Sequence, residues 1–384
     1  MLERNDSPAS RRFRLGLIIN PMAGIGGSVG LKGSDGDDVV ALALSRGGVP
    51  RAEERTQRAL TLLVPWQSSI TVYCFAGGMG GDLAQAMGFA TEVVGTAADP
   101  QATTAADTEQ AARCLTSAGV DLILFAGGDG TARNLCNVIG PAQPVLGVPA
   151  GVKMHSGVYA ITPEAAGEVT VSMAMGRAVD VELAEVRDLD EAAYRQGRVN
   201  SRYYGELLVP RLGQFVQAVK SGEQDSDPLL LDAIADEIVE SIEPDVLQIV
   251  GAGSTTAPIL TSLGLDNTLL GVDLVLNGEH IVKDATEAAI LEALDAHGGA
   301  ARLVITPIGG QGHIFGRGNQ QLSPDVIRRV GRDHIVVVAT PTKLAQLDRR
   351  PFLVDSGDLA LDDTLRGVIR VVTGYREQLL YPVR

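Results

Sequence analysis

Residues 121–135 read Asp-Leu-Ile-Leu-Phe-Ala-Gly-Gly-Asp-Gly-Thr-Ala-Arg-Asn-Leu, DLILFAGGDGTARNL. The apolar run Leu122–Ala126 enters Gly127-Gly128-Asp129-Gly130-Thr131 without a polar break. A short unbroken apolar run bounded by glycine predicts a strand covered on both faces, as in a parallel sheet. The residues after the turn predict a helix starting near Thr131. Strand, glycine turn and helix make a phosphate-binding geometry, because glycines let the main chain approach a ligand and the unpaired N–H groups of a helix start favour an anion. Gly127, Gly128, Gly130 and Thr131 are the expected phosphate contacts, and Asn134, further along the helix, joins the candidate set.

Asp129 needs a separate explanation, since a carboxylate repels phosphate unless it has another task. It can accept a proton from an attacking hydroxyl or help to hold Mg²⁺. The alternative is an Asp that caps the following helix.

Outward from this turn, residues 15 to 150 alternate short β-rich runs with glycine turns and helical stretches, the pattern of an α/β layer with a parallel sheet. Strands are expected at Leu15–Asn20, Ile70–Phe75, Glu92–Val94, Asp121–Ala126 and Val145–Val148, and helices at Asp37–Ser45, Arg51–Leu63 and Thr104–Ser117. Beyond about Pro163 the alternation weakens into a second, more irregular region, with strands expected near Ala178–Val186, Val246–Val250, Thr268–Leu276 and Arg302–Thr306. Ser221–Ser241 reads as a solvated surface helix from Asp227 onward. The last segment returns to β-like runs at His334–Ala339, Pro351–Val354 and Val368–Val372. The expected division is residues 1–160 as an α/β phosphate-binding domain, 161–340 as a second domain, and 341–384 as a segment that completes a sheet or packs back on the first.

The 384 residues carry a formal charge of −15, which argues against nucleic acid or an anionic membrane as partner while leaving a locally positive cleft open. Cys74, Cys114 and Cys136 form no CxxC pair and read as reduced core thiols. The N-terminal stretch lacks an apolar signal core and no run approaches the ~20 apolar residues of a membrane span, so a cytoplasmic protein is expected. None of the five histidines forms an HExxH pair, so a dedicated protein-bound metal is not expected. Walker A and GxGxxG sequences are missing, and Gly26–Gly30, although it fits GxSxG, stands too far beyond its strand to be a hydrolase elbow.

Several loops offer further candidates. Asn20–Gly36 follows the first strand with six glycines, Lys32 and Asp35. Asn20, Gly24, Gly26 and Gly27 are its expected anion contacts, with a flexible loop as the alternative. Lys153, His155 and Ser156 follow a buried strand, where side chains at a sheet's carboxyl edge face a ligand crevice. Lys153 would neutralise phosphate and His155 would donate to it; a polar loop with a satisfied histidine is the alternative. Gly253, Ser254 and Thr255 follow Leu247–Val250 and offer amides and hydroxyls, unless Ser254 simply caps a helix. Gly309–Gly318 is another glycine-rich loop, in which His313 and Arg317 either touch phosphate or are structural. Asp273 and Asp284 flank an Asn277-Gly278 hairpin turn as surface charges.

The GGDGT turn at the end of a buried strand resembles the signature shared by NAD kinases, diacylglycerol and sphingosine kinases, and phosphofructokinases. Ile19–Gly36 (INPMAGIGGSVGLKGSDG), Gly147–Ala160 (GVPAGVKMHSGVYA) and Ile305–Gln320 (ITPIGGQGHIFGRGNQ) narrow the resemblance to the ATP-NAD kinase-like family, over nearly the whole chain. The resemblance implies an α/β N-terminal domain with a parallel sheet, a β-rich C-terminal domain and a nucleotide cleft between them. It implies Asp129 as catalytic base, ATP with Mg²⁺ as cofactor, NAD and ATP as small-molecule partners, and a homo-oligomer. Gly253–Thr255 resembles the Gly-Ser-Thr element that NAD kinases carry near the nucleotide. NAD kinases proper follow GGDGT with an Asn-Glu pair and a GINxGxLGFL stretch, where this chain has GVPAGVKMHSG. That departure keeps three functions in view: phosphoryl transfer from ATP or polyphosphate to NAD(H) or a related nucleotide, transfer to a lipid or polyol hydroxyl, and a non-catalytic nucleotide-binding role in acetoin breakdown.

Overall fold

The computed structural model describes residues 12–31, 37–152, 154–189, 201–212, 228–268 and 270–384. The first sheet contains β1 (Phe13–Ile19), β2 (Ile70–Phe75), β3 (Ala90–Gly95), β4 (Leu122–Gly127) and β5 (Val145–Pro149). All are parallel, in the order β3-β2-β1-β4-β5. Every residue of β4 is buried, because β1 and β5 flank it and helices cover both faces. The chain builds outward from β1 to β3, then returns past β1 to add β4, so the strand order reverses between β1 and β4. That reversal opens a crevice at their carboxyl ends.

The helices of this half are α1 (Asp37–Ser45), α2 (Ala52–Thr61), α3 (Gly81–Ala86), α4 (Ala105–Ala118), α5 (Asp129–Cys136) and α6 (Pro163–Ala174). α4 starts where the Asp107 carboxylate accepts from the Thr104 N–H at 2.8 Å and hydroxyl at 2.7 Å, and stops at left-handed Gly119. α6 was not expected from the sequence. Its all-round apolar, alanine-rich face blurs the amphipathic period, yet Thr162 caps it through the Ala165 N–H and Pro163 opens it. The antiparallel hairpin of β6 (Asp180–Leu189) and β7 (Ser201–Arg211) contributes Ala184, Val186, Leu207 and Val209 to the core of this first sheet.

The C-terminal region is β-rich and built on a seven-stranded sheet. Its strands are β8 (Leu247–Val250), β9 (Asp273–Leu276), β10 (Glu279–Val282), β11 (Ala301–Ile305), β12 (Ile335–Val338), β13 (Gly367–Gly374) and β14 (Glu377–Val383), in the order β10-β9-β8-β11-β12-β13-β14. β8, β11, β12 and β13 are parallel, and the outer strands are antiparallel. Helices α7 (Pro228–Glu240), α8 (Ala257–Ser262), α9 (Glu287–His297), α10 (Pro324–Val330), α11 (Pro341–Ala345) and α12 (Leu359–Leu365) accompany it.

Four local expectations are corrected here. The described part of the expected surface helix, α7, buries Ile234, Ala235 and Ile238 against Val304, Val338 and Val372, so its apolar stripe is a core face. Residues 221–227 lie outside the described residues. The strand expected from Thr268 begins only at Asp273, because the Asp273 carboxylate folds the preceding turn by accepting from the Thr268 N–H and hydroxyl at 2.8 and 2.7 Å. Asp273 is thereby buried and not a surface charge. Pro351–Val354 makes only single bridges, His313 with Leu353 and Phe352 with Val383. The expected Asn277-Gly278 turn does join β9 to β10, with both residues at positive φ (52° and 79°).

Candidate functional site

The crevice between β1 and β4 brings together the glycine turn and the start of the long glycine loop. Asn20 follows β1, donates its N–H to the Ala126 carbonyl at 3.0 Å and its Nδ2–H to Thr131 Oγ at 3.1 Å, and so ties the two strand ends. Gly127 has no room for a side chain, since a Cβ there would fall 2.3 Å from Thr131 Oγ. α5 starts at Asp129, earlier than expected, because extended Gly128 is the N-cap residue and its carbonyl already accepts the Ala132 N–H at 3.1 Å.

Asp129 is therefore the first residue of the helix and its side chain does not cap it. Its Oδ2 accepts the His155 N–H at 2.6 Å and lies 3.3 Å from His155 Nδ1, while Oδ1 accepts the Ser156 N–H at 3.1 Å. The residue is 5% exposed. Hydrogen bonds to a buried carboxylate contribute about 1.5–3 kcal/mol each, so the loop after β5 is fixed to the turn. The loop is also fixed from behind: the Ser156 hydroxyl donates to the Arg187 carbonyl at 2.8 Å, and the Tyr159 hydroxyl donates to the Gly128 carbonyl at 2.6 Å. His155 and Ser156 thus meet Asp129 mainly through their backbone N–H groups. Gly130 is buried inside α5, Asn134 is half-buried on it, and Lys153 lies outside the described residues.

The loop after β1 is packed, with Ile25, Val29 and Ala43 forming a small core of their own. Gly24 takes φ +84°, and a Cβ there would fall 2.6 Å from the Ala150 carbonyl oxygen, so only glycine fits. The Gly26 carbonyl accepts the Leu31 N–H at 2.9 Å, Gly27 abuts Gln320, and the Ser28 carbonyl accepts the Glu287 N–H at 3.1 Å. The loop therefore bridges the two halves of the chain. Lys32 and Asp35 lie outside the described residues.

The Gly253–Thr255 segment stands at the carboxyl edge of β8, where Ser254 is exposed and Thr255 buried. Ser254 is not a cap: Thr256 is the N-cap residue of α8, and its hydroxyl donates to the Gly251 carbonyl at 2.6 Å. Thr255 Oγ accepts from Lys343 Nζ at 2.7 Å, and the same ammonium donates to Thr306 Oγ at 3.2 Å. Arg317 and His313 bind backbone. Arg317 Nη2 donates to the Ala160 and Ile161 carbonyls at 3.2 and 2.8 Å, and His313 Nε2–H donates to the Ile161 carbonyl at 3.1 Å. Burial pushes the His313 imidazole down to about 3 and the Arg317 guanidinium down to about 9.

Two family models match this architecture, the ATP-NAD kinase N-terminal domain over residues 15–177 and the ATP-NAD kinase C-terminal domain over residues 245–383. The chain belongs to the ATP-NAD kinase family. The family is one of kinases, which act as phosphotransferases. Among solved structures, a putative diacylglycerol kinase from Bacillus anthracis str. Sterne is similar at 16% identity, over 49% of this chain and 45% of that one, with a TM-score of 0.23. The chain thus spans under half of that relative's length. No curated protein matches the chain.

The ATP-NAD kinase halves enclose a cavity of about 270 Å³. Gly24 and Gly27 line it, as do Pro149–Gly151 at the end of β5, Glu287 and Gln320 from the C-terminal half, and Arg51, Arg55, Arg317 and Asp355. Asp129, Ser254 and Thr255 do not. Gly151 connects the two places, since it lines the cavity and touches Gly128. Arg51, Arg55 and Asp355 escaped the sequence reading because no local pattern marks them. Among the described residues no group of three or more His, Cys, Asp or Glu side chains is placed to hold a metal ion, and no helix is long and apolar enough to cross a membrane.

Proposed function

We propose that the chain transfers a phosphoryl group from ATP or polyphosphate to a hydroxyl of NAD(H) or a related nucleotide, with Asp129 as general base. The observation that supports this most is the placement of Asp129: a carboxylate at the first turn of a helix, in the crevice where the strand order reverses, held in a fixed orientation by the His155 and Ser156 N–H groups. A carboxylate whose oxygens are pre-positioned can take the proton of an attacking hydroxyl without reorganising. Both Asp129 oxygens already accept protein hydrogen bonds. The donor set therefore suits Mg²⁺ carried on the nucleotide's own phosphates, with at most one carboxylate from the chain. An ion held in that way would supply positive charge to offset that of the transferring phosphate.

The test is formation of NADP from NAD and ATP. Asp129→Asn preserves the size of the side chain, so the reading expects turnover to fall at least ~100-fold while NAD still binds. Turnover that survives the substitution would sink Asp129 as base. The burial of Asp129, at 5% exposure, favours a second reading in which the carboxylate only organises the His155–Ser156 loop of a nucleotide-binding protein without turnover. Nucleotide binding with no transfer to NAD, lipid or polyol acceptors would establish that second reading.

A further inference from the structure

The peptide between Gly128 and Asp129 decides where the Asp129 carboxylate points. Gly128 is extended, at φ −116° and ψ −170°, and follows another glycine, so no Cβ restrains the turn before Asp129. Its carbonyl accepts the Ala132 N–H at 3.1 Å, the bond that opens α5, and the Tyr159 hydroxyl at 2.6 Å. A trans peptide sets its C=O and N–H on opposite sides. With the carbonyl drawn along α5, the Asp129 N–H points out of the helix start, among the donors that a helix leaves unused. Rotation of this peptide would turn Asp129 out of helical geometry and swing its carboxylate with it.

Tyr159 is held rigidly enough to prevent that rotation. It is fully buried, and the chain on either side of it runs along β5: the Gly147 N–H donates to the Val158 carbonyl at 2.8 Å, and the Ala160 N–H to the Gly147 carbonyl at 2.9 Å. Its ring occupies the space that a side chain at position 147 would need, since a Cβ on Gly147 would overlap it. The ring also tilts against Phe125 of β4, with centroids 5.3 Å apart and 57° between planes. Two central strands thus fix the ring, and the ring fixes the hydroxyl. A phenylalanine would pack equally well here, so packing by itself does not call for the hydroxyl. A buried hydroxyl needs an acceptor, and this one reaches the carbonyl next to the carboxylate.

We propose that Tyr159 is a positioning residue for phosphoryl transfer, whose hydroxyl locks the Gly128–Asp129 peptide and so aims the Asp129 carboxylate at the acceptor hydroxyl. This role rests on the reading of Asp129 as base. The His155 and Ser156 N–H groups hold the carboxylate at its oxygens, and Tyr159 holds the backbone from which it projects. The two restraints are complementary, because a side chain fixed only at its tip can still pivot when its own peptide turns.

Tyr159→Phe in the full chain tests this, since it keeps the ring against Phe125 and Gly147 and removes only the hydroxyl. In NADP formation from NAD and ATP, kcat falls about three- to tenfold, the range of one neutral hydrogen bond, while both KM values stay within about twofold. In an Asp129→Asn background the same substitution changes the residual rate by less than about twofold, because no base is left to aim. An equal loss of kcat in both backgrounds assigns Tyr159 to packing alone and overturns the proposal. A second readout needs no turnover. Amide hydrogen exchange at His155 and Ser156, whose N–H groups are shielded by Asp129, becomes at least ~fivefold faster in Tyr159→Phe, while exchange at Leu303 and Val304 in the second sheet is unchanged. Faster exchange in a chain that forms no NADP upholds the lock and removes the kinase reading, so the two fail separately. Unaltered exchange at His155 and Ser156 overturns the proposal whether or not the chain is a kinase.

Discussion

Gly128 and Gly151 touch backbone to backbone: a Cβ on Gly151 would fall 2.6 Å from Gly128 Cα, and one on Gly128 would fall 3.2 Å from Gly151 Cα. The contact joins the turn that presents Asp129 to the loop that lines the interdomain cavity. The Gly127 carbonyl fixes it by accepting the Ala150 and Gly151 N–H groups at 3.1 and 2.9 Å.

Gly151→Ala is accordingly expected to cost about 1–3 kcal/mol of stability, since neither backbone can retreat without breaking those bonds. Ala150→Gly, next door and without such a contact, serves as control. Chemical denaturation of both variants measures the difference, and equal midpoints would show that the glycine pair is not tightly packed.

Asp129→Ala should be less stable than Asp129→Asn. Alanine leaves the buried His155 and Ser156 N–H groups without an acceptor, at about 1–3 kcal/mol each, whereas asparagine retains one acceptor oxygen. Thermal melts of the two variants decide it. If they melt together, the loop does not depend on the carboxylate.

Asp355 ties the second half to α2. Burial alone would raise its carboxyl, but the Arg55, Arg317 and Arg58 guanidiniums outweigh burial and hold it below the usual carboxylate range. A carboxyl depressed on folding adds stability that is complete above its unfolded value near 3.9 and is lost as pH falls through the lower folded value. Asp355→Ala is expected to destabilise by about 3–5 kcal/mol at pH 7 by stranding buried guanidinium charge, and by progressively less in acid. A loss that stays constant down to pH 3 would contradict this.

His313 acts in a higher window. Its imidazole is pushed down to about 3 by burial, with the nearby Arg317 charge adding to the effect, and its Nδ1 has no hydrogen-bond partner among the described residues. The unfolded chain takes up the proton first, near 6.5, so stability is full above that value and falls by about 1.4 kcal/mol per pH unit below it. His313→Gln should flatten the stability profile between pH 6 and pH 4. A profile as steep as that of the unsubstituted chain would assign the dependence to other groups.

The two arginine–aspartate and glycine–glycine contacts also mark where reading the sequence stops. The β4 run, the GGDGT turn and the placement of all five strands of the first sheet follow from local pattern, and so does the Asn277-Gly278 hairpin. α6 was not read because a helix buried on nearly all sides has no polar face to set its period. The burial of Asp273 has no local signature, because burial of a carboxylate depends on its finding donors, here the Thr268 N–H and hydroxyl and the Asp284 N–H.

The sequence by itself determined an α/β architecture with a phosphate-type turn at Gly127–Thr131, because strand burial, glycine conformations and helix starts are properties of a few adjacent residues. Tertiary structure alone decided what each candidate touches. It set the His155 and Ser156 amides on Asp129, turned Arg317 and His313 onto backbone carbonyls, and brought Arg55 to Asp355 across 300 positions of chain. Partners so far apart are selected by how two packed cores meet, and that is a property of the whole fold, not of any local pattern.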